Sequence, residues 1–383
     1  MAMKRVLVSV DLFGDLPEPE NKEAAPAIKP APLKTPKQPT FGILKTAKDS
    51  LFSDLPSPST NQPLAKAPPS GPAKRQHEAE EVPNKKPAQS VYTLVGYVAE
   101  RKGEREEMQD AHVIADKFHN DIPHLHGSVK RIAYYAVFDG HNGSRASQYA
   151  SQHLQRHLAT KFPKGDMAQI EKEIKRSIVE SFRKTDEEFL RKASSCKPSW
   201  KDGTTAVTVL AIDNTLYISN LGDSKAILCR YNTESGKHTA IPLTKDHNPT
   251  DYEERMRIQK AGGNVRDGRV LGVLEVSRSL GDGQYKRCGV SNFPDVVRCQ
   301  LTDGDRFLVV ACDGLWKVFT SDEVISVVLK TLESENVAEL DPKKRLETGY
   351  EAACSKLINE AVRKLSGDNV TVVIVHIGTE REC

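Results

Sequence analysis

From about residue 90 onward, short apolar runs alternate with segments of helical period, and several of the runs share one ending. Ala133-Tyr-Tyr-Ala-Val-Phe138 is aromatic-rich, holds a β-branched Val and is too short for a helix, so it predicts a buried strand. It stops on Asp139-Gly-His-Asn-Gly143. Arg306 to Cys312 is a second such strand and ends in Asp313-Gly314. Thr215 to Leu221 delivers Asp223, and Ser366-Gly-Asp368-Asn369 opens the run Val370 to Ile377. One Asp-Gly after a strand is ordinary turn chemistry. The same arrangement four times is better explained by carboxylates gathered at strand ends around a hard cation, for which Mg²⁺ or Mn²⁺ is the natural choice.

The remaining pattern predicts strands at Val91 to Val98, Ala111 to Ile114, Thr204 to Ile212, Thr215 to Ser219 and Lys225 to Tyr231. Helices are expected over Ser144 to Leu158 and Met167 to Leu190, the latter with Ile170, Ile174, Ile178, Phe182 and Phe189 on one face. A further helical stretch follows Pro249 through Gln259 and stops at Gly262-Gly263. Glu323 to Leu332 and Glu351 to Leu365 read as late helices. Arg101 to Asp110 is charged and loop-like. Helices come in pairs and strands in runs, which argues for an α+β fold of antiparallel sheets covered by helices, not for a doubly wound parallel sheet.

Composition divides the 383 residues in two. Residues 1–89 form a tail in which 15 of the 22 prolines fall, with few aromatics, and it cannot bury enough surface to offset chain entropy. Residues 90–383 form the folded domain. Within the tail, Leu12-Phe-Gly-Asp-Leu-Pro recurs as Leu51-Phe-Ser-Asp-Leu-Pro, either a docking peptide or a local duplication. Lys74-Arg75 and Lys85-Lys86 have the shape of a bipartite nuclear signal. Residues 1–90 carry 13 Lys and Arg against 10 Asp and Glu, so the rest is balanced at 42 of each, which argues against a nucleic-acid-binding domain. The seven cysteines occur singly, without a Cys-x-x-Cys pair, and suggest a reducing compartment rather than a disulfide framework or zinc site. No run reaches the length of a membrane span, and the apolar stretch after Lys4-Arg5 is too short for a signal peptide. A cytoplasmic protein is expected, with the basic pairs as its candidate route to the nucleus.

Taken together, the motifs carry a resemblance. Arg105-x-x-Met-Gln-Asp-Ala-His, Val-Phe-Asp-Gly-His-x-Gly, Gly203-Thr-Thr-Ala, Leu-Gly-Asp-Ser-Lys, Val276-Ser-Arg-Ser-Leu-Gly-Asp282, Ala-Cys-Asp-Gly-Leu-Trp and Asp-Asn-Val-Thr-Val occur in this order between about Tyr92 and Ile377. The set resembles the metal-dependent protein phosphatases of type 2C. That resemblance implies a sandwich of two antiparallel sheets flanked by α-helices on both sides, with a centre of two Mg²⁺ or Mn²⁺ ions at one end. Asp139 would bridge the two ions, Asp313 and Asp368 would complete the first, and the Gly140 carbonyl would reach the second, with nothing to crowd the ion. Arg105 would hold the substrate phosphate in a charge-assisted fork. His141 would protonate the departing seryl or threonyl oxygen after attack by metal-activated water. Phosphorylated proteins are the implied substrates, a kinase-containing complex an implied partner, and a monomer the implied state. No Cys-x5-Arg phosphate loop is present, and Cys312 reads as strand packing.

Three positions depart from the family pattern. Gln109 stands where a Glu ligand of the second metal is usual, with Asp110 beside it able to help through water. Asn142 stands in place of a Gly; Asn is among the residues most tolerant of positive φ. Lys317 stands where some relatives place an acidic ligand of a third metal; Asp223 and Asp313 remain as candidate ligands, and a weak third site or none is expected. His247 to Tyr285 corresponds to a variable flap beside the site. His119, His124 and His126 read as solvated loop histidines, and Trp200 and Trp316 as packing. The rival function is a catalytically inactive phosphatase-like binding module; Asp139, Asp313, Asp368, Arg105 and His141 argue against it.

Overall fold

A computed structural model of the chain describes residues 90–334 and 341–378. The Pro-rich tail, with its repeat and its basic pairs, lies outside the described residues.

Two five-stranded antiparallel sheets organise them. The first has the order β1 (Thr93–Arg101), β15 (Val370–Gly378), β14 (Asp305–Ala311), β8 (Lys225–Asn232), β9 (Lys237–Pro242). The second runs β13 (Asp295–Gln300), β7 (Thr215–Leu221), β6 (Ala206–Ile212), β3 (Ile132–Phe138), β2 (Ala111–Ala115). Alternation along β3 shows how they stack. Ala133, Tyr135 and Val137 enter the core shared with Leu308, Val310, Val373 and Val375 of the first sheet. Tyr134, Ala136 and Phe138 face the other way, into a core with helices α1 (Arg145–Lys161) and α2 (Met167–Ser195). The first sheet mirrors this: Ile227, Phe307, Val309, Val372 and Ile374 pack against α6 (Ser321–Leu332) and α7 (Pro342–Arg363). Strands buried on both faces need apolar residues at every position of the two-residue repeat, which is why these runs are uninterrupted. The expected helix–sheet–sheet–helix sandwich is what forms.

Helix ends follow local chemistry. Asp166 caps α2 by accepting from the Gln169 amide at 3.0 Å, and Thr320 with Glu323 forms a capping box on α6. Helix α7 starts nine residues before the expected Glu351, capped by Asp341. Edge strands β9 and β13 were absent from the sequence reading because they are half-exposed and mix charge with apolar residues. Smaller pieces complete the description: β4 (Gly140–His141), β5 (Gly203–Thr204) and β12 (Leu280–Gly281) make a three-stranded sheet in the order β12-β5-β4. The flap carries α3 (Tyr252–Lys260), the hairpin β10 (Val265–Arg266) and β11 (Arg269–Val270), and α4 (Gly283–Lys286), around its own small core of Ile258, Val270, Leu274, Val276, Tyr285 and Val290. No helix among the described residues is long and apolar enough to cross a membrane.

Candidate active site

Strand register brings the acidic residues together. Ala111 pairs with Phe138 across β2 and β3, so one step further along each strand sets Asp110 beside Asp139. Ala311 pairs with Val372, and the Cys312 amide donates to the Thr371 carbonyl at 3.3 Å, which leads Asp313 toward the Gly367–Asn369 turn. Asp313 opens the short helix α5 (Asp313–Trp316) instead of ending the strand. The two sheets are then tied across this end: Thr371 Oγ1 donates to Asp110 Oδ2 at 2.7 Å. Asn369 Oδ1 accepts from the Gln109 amide at 2.7 Å, while its Nδ2 donates to the carbonyls of Lys102 and Glu107 at 2.7 and 3.0 Å. Asn369 thus anchors the loop bearing Arg105 and Gln109, a role the sequence reading did not assign it.

The result is a cleft of about 680 Å³ whose walls include Arg105, Gln109, Asp139, Gly140, His141, Asp223, Asp313, Lys317 and Asp368, with Val273 to Val276 of the flap on one side. Of the expected site residues only Asp110 lies beneath these walls, and it is buried.

Asp110, Asp139, Asp223 and Asp313 resist ionisation. Burial, reinforced by Asp368 and Asp313, raises Asp110 to about 7 although Thr371 opposes the shift. Asp139 is raised well above the usual carboxylate range by burial and then by Asp110, Asp313 and Asp223. Asp223 is pushed up to about 7 by burial and by Asp313. Asp313 is also raised by burial, with Lys317 pulling the other way. Asp110 Oδ1 is buried without a hydrogen-bond partner among the described residues. A donor atom each from Asp110, Asp139 and Cys312 lies within 4.8 Å of the others. Oxygen-rich, mutually repelling and with one buried acceptor unsatisfied, this donor set fits a hard divalent cation. Cys312 is fully buried in the inter-sheet core, as expected, and burial holds its thiol protonated.

Asp368 and Asp313 are partly compensated from within the chain. Arg105 Nη2 lies 3.0 Å from Asp368 Oδ2, and Lys317 Nζ lies 2.7 Å from Asp313 Oδ2 and 3.1 Å from Asp368 Oδ2. Burial works against the Lys317 charge, but the two carboxylates outweigh it and hold the ammonium protonated.

His141 sits on β4, with Nε2 2.7 Å from Asp282 Oδ2. The same oxygen accepts from Ser279 Oγ at 2.7 Å, and Asp282 is wholly buried at φ 53. Burial lowers the imidazole pKa, yet Asp282 overrides it and the net shift is upward. A Cβ on Gly203 would strike both the imidazole and the Asp282 carboxylate, so a glycine there lets the pair meet. Asp282 was visible only as the last residue of a family motif, with no role attached. Asn142 does adopt the expected positive φ, at 58. A Cβ at Gly140 would collide with the Gln109 carbonyl and Ser147 Oγ, so the site loop itself demands a glycine there.

His124 and His126 are exposed as expected, and His126 bonds Ser128 at 2.8 Å. His119 is not a solvated loop residue: it sits half-buried on the 3-10 turn Phe118–Asp121, and its Nδ1 is buried with no hydrogen-bond partner among the described residues. None of the three lines the cleft, and the two tryptophans pack as expected. Trp316 Nε1 donates to the Ala311 carbonyl at 2.9 Å, and Trp200 stacks near Phe189 beneath the Arg145 guanidinium.

A family profile described as protein phosphatase 2C matches residues 96–370. The chain belongs to the protein phosphatase 2C family. It is therefore an enzyme of the protein-serine/threonine phosphatase class. Integrin-linked kinase-associated serine/threonine phosphatase 2C of Bos taurus is 54% identical over 376 residues, covering 96% of this chain and 100% of the relative. Probable protein phosphatase 2C 8 of Arabidopsis thaliana is 37% identical over 289 residues, 73% of this chain and 77% of that one. In fold, the serine-threonine phosphatase 2C from Toxoplasma gondii superposes with a TM-score of 0.61 at 18% identity, over 76% of this chain and 96% of that chain. The phosphatase 2C profile spans every strand-end carboxylate of the cleft, from Asp110 to Asp368.

Proposed function

We propose that this phosphatase 2C hydrolyses phosphoserine and phosphothreonine in protein substrates, using two Mg²⁺ or Mn²⁺ ions held in the acidic cleft. The observation that carries the reading is the gathering of Asp110, Asp139, Asp313 and Asp368 at one sandwich end beside His141, where burial and mutual repulsion raise the pKa values of Asp110, Asp139 and Asp313 in a way that a divalent cation would relieve. Asp139, Asp313 and Asp368 would hold the ions with the Gly140 carbonyl and the Gln109 side chain, and Asp110 would support them from below. When bound, such ions lower the pKa of a water and offset the charge of the phosphate.

The chain's own residues do the rest. Arg105, more than half exposed at the cleft mouth, is long enough to leave Asp368 and grip the phosphate oxygens in a fork. Asp282 holds the His141 ring through Nε2, which leaves Nδ1 as the nitrogen to protonate the departing alkoxide. The flap residues Val273 and Val276 offer an apolar wall to the peptide beside the phosphorylated residue. By the name of its Bos taurus relative, a complex containing integrin-linked kinase is the partner to test. A cytoplasmic monomer with nuclear access is the expected state, by the chain's own composition and basic pairs.

A p-nitrophenyl phosphate assay with and without Mn²⁺ tests the reading. Turnover is expected only with Mn²⁺ and is expected to vanish in Asp139→Ala. No turnover under any divalent cation would favour the inactive binding module instead.

A further inference from the structure

Lys317 has a fixed place in the cleft. Its amide donates to the Asp313 carbonyl at 2.8 Å, so it rides on the same helical turn as Asp313. From there its ammonium reaches Asp313 Oδ2 at 2.7 Å and Asp368 Oδ2 at 3.1 Å, bridging a carboxylate at the start of α5 and one in the turn before β15. Arg105 adds a second positive group to Asp368. Among the described residues, neither Asp110 nor Asp139, deeper in the cleft, has such a partner, and Asp110 Oδ1 is unsatisfied. Among them, direct ion pairing with a cation thus falls on the outer pair of acids.

We propose that Lys317 is a tethered counter-cation that competes with divalent metal for Asp313 and Asp368. This rests on the reading that these two carboxylates are cation ligands. An ammonium is a compact charge with three donors on a flexible four-carbon stem, so it can bridge two carboxylates and equally swing away into water. The Lys317 side chain is 48% exposed, so the path outward is open. With the ammonium inside, a divalent ion meets occupied oxygens and like charge; with it outside, the two acids are freed. Lys317 therefore stabilises the metal-free fold and raises the metal concentration needed to fill the cleft. These two effects have opposite signs, which a purely structural lysine would not produce.

The test measures Mn²⁺ binding to the full chain by loss of the free-ion electron paramagnetic resonance signal, and melting temperature in excess chelator and in saturating Mn²⁺. Lys317→Met keeps the stem and removes the charge; Lys317→Gln is a second variant should the first fail to fold. Either is expected to bind Mn²⁺ more tightly by about tenfold or more. Each should also melt lower than wild type in chelator and gain more from Mn²⁺. Wild type that binds Mn²⁺ with the variants binding no more tightly overturns the competition. Variants that melt no lower in chelator overturn it too. Wild type that binds no Mn²⁺ overturns both the cation centre and this inference.

Discussion

His141 Nε2 and Asp282 Oδ2 lie 2.7 Å apart although 141 residues separate them in the chain, and the carboxylate has no exposure to solvent. A buried Asp on one imidazole nitrogen fixes both the ring and its tautomer. Asp282 is accordingly a positioning residue whose effect should depend on the leaving group. Asp282→Asn is expected to lower kcat on a phosphothreonine peptide by about 10²-fold. Its effect on p-nitrophenyl phosphate, whose leaving group needs no proton, should be far smaller. Equal losses on the two substrates would show that Asp282 matters only for folding.

Gln109 supplies a second test. Its amide is pinned by Asn369 and its carbonyl by Ser147, so substitution should leave the loop in place. Gln109→Glu adds a negative charge at the cleft wall and is expected to lower the Mn²⁺ concentration giving half-maximal activity, with KM nearly unchanged. An unmoved metal titration would exclude Gln109 as a ligand.

Much of this site was legible in sequence because each carboxylate ends or opens an apolar strand, and strand ends in a sandwich gather at its rims. Asp139, Asp313 and Asp368 announce themselves in that way. Asp282 and Asn369 do not: they act through contacts formed only when β12 and β4 pair on either side of β5 and when the Lys102–Asp110 loop folds onto the start of β15. Lys317 was legible as a departure from pattern, but its bridge between Asp313 and Asp368 depends on the helical turn of α5. The edge strands and the early start of α7 were hidden because exposed segments carry mixed polarity whatever their backbone does.

Crowded acids should make the site a burden on the metal-free fold. Asp139→Asn replaces a carboxyl whose ionised form is disfavoured by burial and by the neighbouring acids Asp110, Asp313 and Asp223. It is expected to raise the melting temperature in chelator by about 2–4 °C while abolishing turnover. A variant that melts lower than wild type in chelator would contradict the repulsion inferred here.

The flap carries its own pH signature. Glu254 is buried and accepts from Arg257 at 2.7 and 2.8 Å, from Arg278 at 2.7 Å and from Ser277. Burial would raise its pKa, but these partners outweigh it and hold the carboxyl far below the usual range. A depressed folded pKa stabilises above the unfolded value and is lost as pH falls toward the folded one. Glu254→Gln is expected to cost about 3–5 kcal/mol near neutral pH. The gap to wild type should narrow steadily below about pH 4.5. Urea melts of both proteins across pH check this; a gap independent of pH would contradict it.

The most direct measurement is phosphate release from a phosphothreonine peptide by the full chain, first in excess EDTA and then with millimolar Mg²⁺ or Mn²⁺ restored. Four carboxylates and no cysteine phosphate loop predict that release stops with chelation and returns with either cation. Undiminished release in excess chelator would contradict a hydrolysis that depends on cations in this cleft.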